Sequence, residues 1–235
     1  MKLLVLAGGF GTRLRSVVSQ VPKALAPIGD IPFLHFQIDN WISQGVTSLV
    51  FLLHYQSQHI VDFVKSKPNG VWRNLDMQWV IEAAPLGTGG AVANAVTELQ
   101  IQGDFLLANA DTWLDSGLTQ MAGAGVPAIG VIEVPNAGRY GFVTFDAQNK
   151  VTSFMEKDEL AQSGWINAGI AQLSADFFRG CIVQTASLER DYFPRWVEQG
   201  ILKATHLSGE FIDIGIPVDY YRFCHWIASG KSETL

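Results

Sequence analysis

In the first half of the chain, apolar positions fall into short unbroken runs: Leu3–Ala7, Leu49–Leu53, Met77–Ile81, Phe105–Ala108 and Ala128–Val134. Each is closed by polar residues or glycine. A run of that length without polar alternation marks a strand buried on both faces. Between the runs, apolar residues recur at helical spacing over Phe33–Ser43, Gln58–Lys65 and Gly90–Glu98. Strand and helix in alternation predict βαβ units. The expected fold class is therefore α/β: a mostly parallel, Rossmann-like sheet, doubly wound with helices on both faces.

The pattern then changes. Arg139–Lys157 alternates apolar and polar residues around Ala147, Gln148 and Asn149, which predicts a hairpin. Gly164–Leu173 reads as a further strand. Helices are expected over Ala175–Cys181 and Leu188–Gln199, a strand near Ile201–Leu207 and a last helix over Val218–Ala228. No Pro/Ser-rich linker, repeat or low-complexity tract divides the chain, so a single domain with an antiparallel region in its second half is expected.

Composition narrows the function. Hydrophobic residues make up 48% of 235, and the net charge is −6 with no long basic run. A groove that tracks many nucleic-acid phosphates is excluded. Any phosphate site must rest on a few placed cations and on backbone N–H groups. No apolar run approaches the length of about 18 residues that a membrane span needs, and the start is too short in apolar residues for a signal peptide. Cys181 and Cys224 show no metal or redox spacing and read as reduced core residues of a cytoplasmic protein. The 7 Trp and 14 Phe read mainly as core, with a homodimer patch as the alternative.

"LAGGFGTRL" (Leu6–Leu14) follows the first apolar run. Ligands of open α/β sheets bind at the carboxyl ends of strands, and glycine there lets N–H groups face an anion. The stretch reads as a phosphate or nucleotide loop, with Thr12 as a hydroxyl donor and Arg13 as a bidentate cation. The dinucleotide fingerprint fails at Leu14. A P-loop around Gly230, Lys231 and Ser232 fails at His225, and no nucleophile elbow occurs.

Other stretches extend the constellation. Lys23 stands between Pro22 and Pro27, in a loop stiffened by fixed φ. Gly87, Gly89 and Gly90 follow the third strand and expose backbone suited to a flat base, with Thr88 as a helix cap. Asn109 and Asp111 lie just past the fourth strand. Asp111, with Asp213 in "FIDIGIP", suits Mg²⁺, which takes one or two carboxylates plus phosphate oxygens. Glu156 and Lys157 end the hairpin and suit a sugar hydroxyl and a phosphate. Asn167, Gly169 and the small opening at Tyr140-Gly141 suit a sugar. Each feature alone has a plain reading as a turn, cap or solvated pair; the conjunction is what points to a site. The five histidines form no metal pattern.

Together, "LAGGFGTRL", "PKALAPI", "PLGTGGA", "NADTW", "EK", "INAG" and "IDIG" resemble the sugar-1-phosphate nucleotidyltransferase family, in its order and rough spacing, from Met1 to about Tyr221. Within that family the chain is most similar to the short D-glycero-D-manno-heptose 1-phosphate guanylyltransferases. The resemblance implies an enzyme that takes an NTP, here GTP, and a sugar 1-phosphate, with Mg²⁺, and releases a nucleotide sugar and pyrophosphate. Mannose-1-phosphate guanylyltransferases, and N-acetylmuramate- or glucose-1-phosphate uridylyl- or thymidylyltransferases, are the alternatives.

It implies further that residues 1–125 hold mainly the nucleotide and 126–235, an antiparallel lid, mainly the sugar phosphate. Leu6, Ala7, Gly8, Gly9, Gly11, Thr12, Arg13, Pro85, Leu86, Gly87, Thr88, Gly89 and Asn109 would bind the nucleotide. Arg13 and Lys23 would act at the reacting phosphates, and Asp111 and Asp213 on the metal. Tyr140, Gly141, Glu156, Lys157, Asn167 and Gly169 would bind the sugar phosphate. Where many relatives have proline after the lysine and glycine before the metal aspartate, this chain has Ala24 and Ala110. No C-terminal β-helix is expected.

Rival readings are a nucleotide-sugar sensor without catalysis, a GT-A glycosyltransferase and a nicotinamide-dependent reductase. The last fails on the fingerprint. The second lacks its D-x-D motif at "ADTWLD".

Overall fold

The computed structural model describes residues 1–66, 70–155 and 163–230. The chain opens with β1 (Lys2–Leu6), a small ribbon of β2 (Pro27–Ile28) and β3 (Ile31–Pro32), and α1 (Phe33–Ser43). Then come β4 (Ser48–Leu53), α2 (Ser57–Lys65), β5 (Asp76–Ile81), α3 (Gly87–Glu98) and β6 (Asp104–Asn109). β7 (Thr112–Leu114), α4 (Leu118–Ala122), β8 (Ala128–Val134), β9 (Phe142–Phe145), β10 (Val151–Met155) and β11 (Gly164–Ser174) follow. α5 (Phe193–Glu198), β12 (Lys203–His206), β13 (Phe211–Asp213) and α6 (Pro217–Ala228) complete the described chain.

Among the described residues nine strands join in one sheet, along the path β10-β9-β11-β6-β1-β4-β5, with β8 beside β11 and β12 beside β8. β6, β1, β4 and β5 are mutually parallel. β11 runs antiparallel to β6, β8 and β9, and β9 pairs with β10 as the expected hairpin. The expected fold class is therefore found: a doubly wound parallel core with an antiparallel second half.

The unbroken apolar runs have a simple cause. In β1, Leu3 and Val5 enter one core while Leu4 enters the other. In β4, Leu49, Phe51 and Leu53 alternate in the same way with Val50 and Leu52. Successive side chains of a strand point to opposite faces, so burying both faces requires every position to be apolar. α1 and α2 cover one face through Leu34, Ile38, Trp41, Ile60 and Val64; α3 and α5 cover the other through Val92, Val96, Phe193 and Trp196.

A third core lies outside the sheet. β13 pairs antiparallel with β7, and beneath them Trp113 and Ile212 pack with Phe33, Phe223 and Trp226. Strands of three residues are too short to show a period, so this ribbon was not expected. Other expectations shift. The helix expected over Ala175–Cys181 is one 3₁₀ turn, Ala175–Phe177. That over Leu188–Gln199 begins as a π-helical turn, Leu188–Tyr192, before α5, whose first turn contains Pro194. Pro194 brings no N–H, so the turn before it is free to widen. Cys181 is exposed rather than core, because the 3₁₀ turn ends before it, and Cys224 is only partly buried. None of the described helices is long and apolar enough to cross a membrane.

Candidate active site

A cavity of about 380 Å³ opens at the carboxyl ends of β1, β4 and β6. Leu6, Ala7, Gly8, Gly9 and Gly11 line it from the first loop, and Pro85, Gly87 and Thr88 from the start of α3. Lys23, Ala24, Asn109, Ala110 and Asp111 complete the wall together with Glu82. The sheet itself holds the two loops at this spacing: Ala7 N–H donates to the Leu52 carbonyl at 3.0 Å and Ala110 N–H to the Leu6 carbonyl at 3.0 Å. Ala110 and Ala24 are buried, and neither has a positive φ. The fold thus takes a methyl group at both positions without backbone strain.

The glycine loop is braced by aromatic rings. Phe10 meets His54 edge-on at 5.8 Å and Tyr55 at 5.4 Å, and the Arg15 guanidinium lies 5.3 Å over Tyr55. Thr12 and Arg13 form a 3₁₀ turn just beyond, and both are exposed. Thr12 does not line the cavity. Arg13 reaches the cluster of charges at the cavity's end.

There Lys23 pairs with Asp111. Gly215 N–H donates to Asp213 Oδ1 at 2.8 Å. A Cβ added to Gly215 would stand 2.7 Å from Asp213 Oδ1, 3.0 Å from Lys23 Nζ and 3.4 Å from an Arg13 guanidinium nitrogen. Three charged groups, Arg13, Lys23 and Asp213, therefore meet at Gly215, and Asp111 joins them through Lys23. Burial pushes the Asp213 carboxyl up, and the Asp111 charge adds to this; Lys23, the Gly215 N–H and Arg13 pull it back. Two carboxylates held close, with hard oxygens and cations around them, suit Mg²⁺, which needs few protein ligands when phosphates supply the rest. Among the described residues no cluster of three acidic, His or Cys ligands occurs.

Beside Asp213 lies Tyr140. Burial raises its phenol, Asp213 raises it further, and Arg139 opposes. Arg139 donates to the Tyr140 hydroxyl and pairs with buried Asp219 of α6 at 2.5 Å. This ties the loop before β9 to the third core. Gly141 follows in the same loop and does not line the main cavity. Asn167 and Gly169 sit where the pairing of β11 with β8 slips between Asn167 and Ala171. Gly169 has φ +72°, and a Cβ there would lie 2.8 Å from Asn109 Nδ2, so a side chain is excluded. Its N–H donates to Asn167 Oδ1 at 3.0 Å. Glu156 and Lys157 lie outside the described residues.

The second glycine stretch differs from expectation. Gly89 and Gly90 N–H groups donate to the Ala186 carbonyl at 2.9 and 3.1 Å, and Ala186 N–H donates to the Leu86 carbonyl at 2.9 Å. A Cβ on Gly90 would lie 2.4 Å from the Gln184 carbonyl oxygen. Leu86 and Gly89 therefore serve packing against residues 184–187 and do not line the cavity. Thr88 is no cap: α3 begins at Gly87 with Leu86 as its capping residue. The Thr88 hydroxyl instead donates to Glu189 at 2.8 Å.

Glu82 was missed. It is 8% exposed, lines the cavity, and accepts the Leu86 N–H at 2.9 Å. Burial raises its carboxyl above the ordinary range, against the Leu86 N–H and His54. The available signal was a lone acid closing the apolar run Met77–Ile81.

The profile of the nucleotidyl transferase family matches residues 2–228. The D-glycero-alpha-D-manno-heptose 1-phosphate guanylyltransferase of Campylobacter jejuni is 31% identical over 224 residues, covering 95% of this chain and 98% of that one. The probable mannose-1-phosphate guanylyltransferase 1 of Oryza sativa is 33% identical, over 94% of this chain but 63% of that one. Among solved structures, HddC from Yersinia pseudotuberculosis superposes with a TM-score of 0.84 at 33% identity, over 96% of this chain and 99% of that one. HddC has also been solved complexed with GMP-PN, with the same similarity to this chain.

Proposed function

This chain belongs to the nucleotidyl transferase family, and on that premise we propose that it transfers GMP from GTP to a heptose 1-phosphate, forming GDP-heptose and pyrophosphate. The observation that carries the transfer reading is the meeting of Arg13, Lys23, Asp111 and Asp213 at the end of the cavity.

The chemistry asks for little else. The attacking oxygen belongs to a phosphate monoester whose second pKa is about 6, so it is ionised at neutral pH and needs no general base. What resists reaction is the approach of two polyanions. Lys23 and Arg13 offset that repulsion and hold the phosphates in line, and the N–H groups of the Gly8–Gly11 loop add partial charge. Asp111 and Asp213 would hold Mg²⁺, which when bound would supply further positive charge against that repulsion. In this reading Leu6–Gly11, Pro85, Gly87, Thr88 and Asn109 hold the nucleotide. Tyr140, Gly141, Glu156, Lys157, Asn167 and Gly169 hold the sugar phosphate.

Guanine is supported by Glu82 and by the names of the relatives. An ionised carboxylate is acceptor-only. Guanine presents two adjacent donors, N1–H and the N2 amine, to such a group. Uracil and thymine present one N–H between two carbonyls that a carboxylate would repel. The Leu86 N–H takes one lone pair of one Glu82 oxygen, which leaves acceptor capacity on both oxygens for the two donors of the base. The exposed, unpaired Cys181 is consistent with a reducing, cytoplasmic setting.

A screen of four NTPs against a panel of sugar 1-phosphates with Mg²⁺, read by pyrophosphate release, tests the proposal. GTP with a heptose 1-phosphate of manno configuration is expected to be the best pair. Mannose 1-phosphate is the second reading, and the same screen separates the two. No pyrophosphate from any pair would leave a binding protein without catalysis.

A further inference from the structure

Thr88 lines the main cavity, yet its hydroxyl faces elsewhere. It accepts the Leu188 N–H at 2.8 Å and donates to Glu189 Oε2 at 2.8 Å. Ser187 Oγ donates to that same oxygen, also at 2.8 Å. Both hydroxyl hydrogens fall on Oε2, and among the described residues none falls on Oε1. Glu189 itself lines a second cavity of about 20 Å³, together with Asn109, Asn167 and Gly169. That volume admits roughly one water molecule or one hydroxyl. Asn109 lines both cavities, so the niche adjoins the main one.

The polar groups of the niche select a chemistry. The carboxylate of Glu189 is an acceptor. Asn167 Oδ1 is taken by the Gly169 N–H, which leaves the Asn167 amine as a donor. A group that both donates and accepts fits between them. An anion would be repelled by Glu189, and the rest of the wall, with Leu6, Leu107, Leu188 and Phe193, is apolar and suits the carbon frame that carries such a group.

We propose that this niche receives a single alcohol hydroxyl of a bound substrate, accepted by Glu189 Oε1. Glu189 is then a residue that reads one hydroxyl position, in addition to bracing α3. The proposal rests on the nucleotidyl-transfer reading, under which both substrates carry alcohols: the ribose of the NTP and the sugar of the sugar 1-phosphate.

The test compares GTP with 2′-deoxy- and 3′-deoxy-GTP, and the preferred sugar 1-phosphate with its monodeoxy forms, in wild type and in Glu189→Gln. In wild type, removing the hydroxyl that is read costs about tenfold in kcat/KM, the scale of one hydrogen bond to a charged group. In Glu189→Gln that penalty falls to within about twofold for the one substrate, which also identifies whether the ribose or the sugar enters the niche. A residue that only braces α3 lowers kcat/KM for hydroxyl and deoxy substrates alike and keeps the penalty; that result overturns the proposal. If Glu189→Gln does not fold, Glu189→Asp withdraws the carboxylate and is expected to shrink the same penalty. A wild-type protein that releases no pyrophosphate overturns the parent reading and this one with it. An active wild type whose penalties survive in the variants overturns this one alone.

Discussion

Lys23 and Asp111, brought together from the loop before α1 and the end of β6, form an ion pair at the end of the main cavity. Neither side chain is more than about a third exposed: 14% for Lys23 and 31% for Asp111. Asp213 stands close enough for its carboxyl to feel both charges. The pair is thus one edge of a compact group of four charges, and a change to one member unbalances the rest.

Removing Lys23 tests that balance. Lys23→Ala is expected to lower turnover by about 10²–10³, the scale of losing one donor to transition-state charge. Steady-state pyrophosphate release, with circular dichroism to check the fold, measures it. Normal turnover in a folded variant would take Lys23 out of the mechanism.

Gly215 is the point at which three of the four charges, those of Arg13, Lys23 and Asp213, meet. In Gly215→Ala the new methyl group would lie 2.7 Å from Asp213 Oδ1 and 3.0 Å from Lys23 Nζ. Both neighbours are side-chain ends, so the fold should tolerate it. The geometry should not: small misplacements near reacting groups cost up to about 10²-fold in rate. A folded variant with a thermal midpoint near wild type and turnover down at least about tenfold is expected. Wild-type turnover would mean that the placement of these charges is not critical.

Glu82 makes stability depend on pH. Its carboxyl is held above the ordinary 4.5 chiefly by burial. The folded value thus exceeds the unfolded one. Its contribution to stability is full below the unfolded value and is lost as pH rises through the folded one. Glu82→Gln stays neutral throughout. The variant should therefore match wild type near about pH 4 and melt higher near about pH 7, while its KM for GTP rises about tenfold. Equal melting at both pH values would argue that the carboxyl is solvated.

Helix propensity makes the opposite forecast to packing at Gly90. Alanine is favoured over glycine in a helix by about 1 kcal/mol. Yet its Cβ would meet the Gln184 carbonyl oxygen at 2.4 Å, and that oxygen is backbone. Gly90→Ala is expected to destabilise by about 1–3 kcal/mol net, read from urea unfolding. Stabilisation would mean that residues 184–187 yield readily.

The parallel core could be read from the sequence because burial on both faces leaves a distinctive mark, an unbroken apolar run in each strand. The meeting of charges was legible for a related reason: Lys23, Asp111 and Asp213 are costly residues to place in partly buried positions beside strand ends without a use. Gly89 and Gly90 misled because bare backbone looks the same in sequence whether a ligand or another stretch of the chain lies against it. Here Ala186 does, some hundred residues on. Glu82 and Glu189 were hidden because a single acid carries no spacing; only the fold shows that one faces the cavity and the other the niche beside it. The β7–β13 ribbon was hidden by its brevity.

That ribbon also sets an order of events during synthesis on the ribosome. The first loop, Lys23 and Asp111 emerge early, but Asp213 joins them only when β13 folds back onto β7 and α6 closes over Trp113. A growing chain therefore holds every wall residue of the main cavity, Leu6 to Asp111, before the charged centre can be completed.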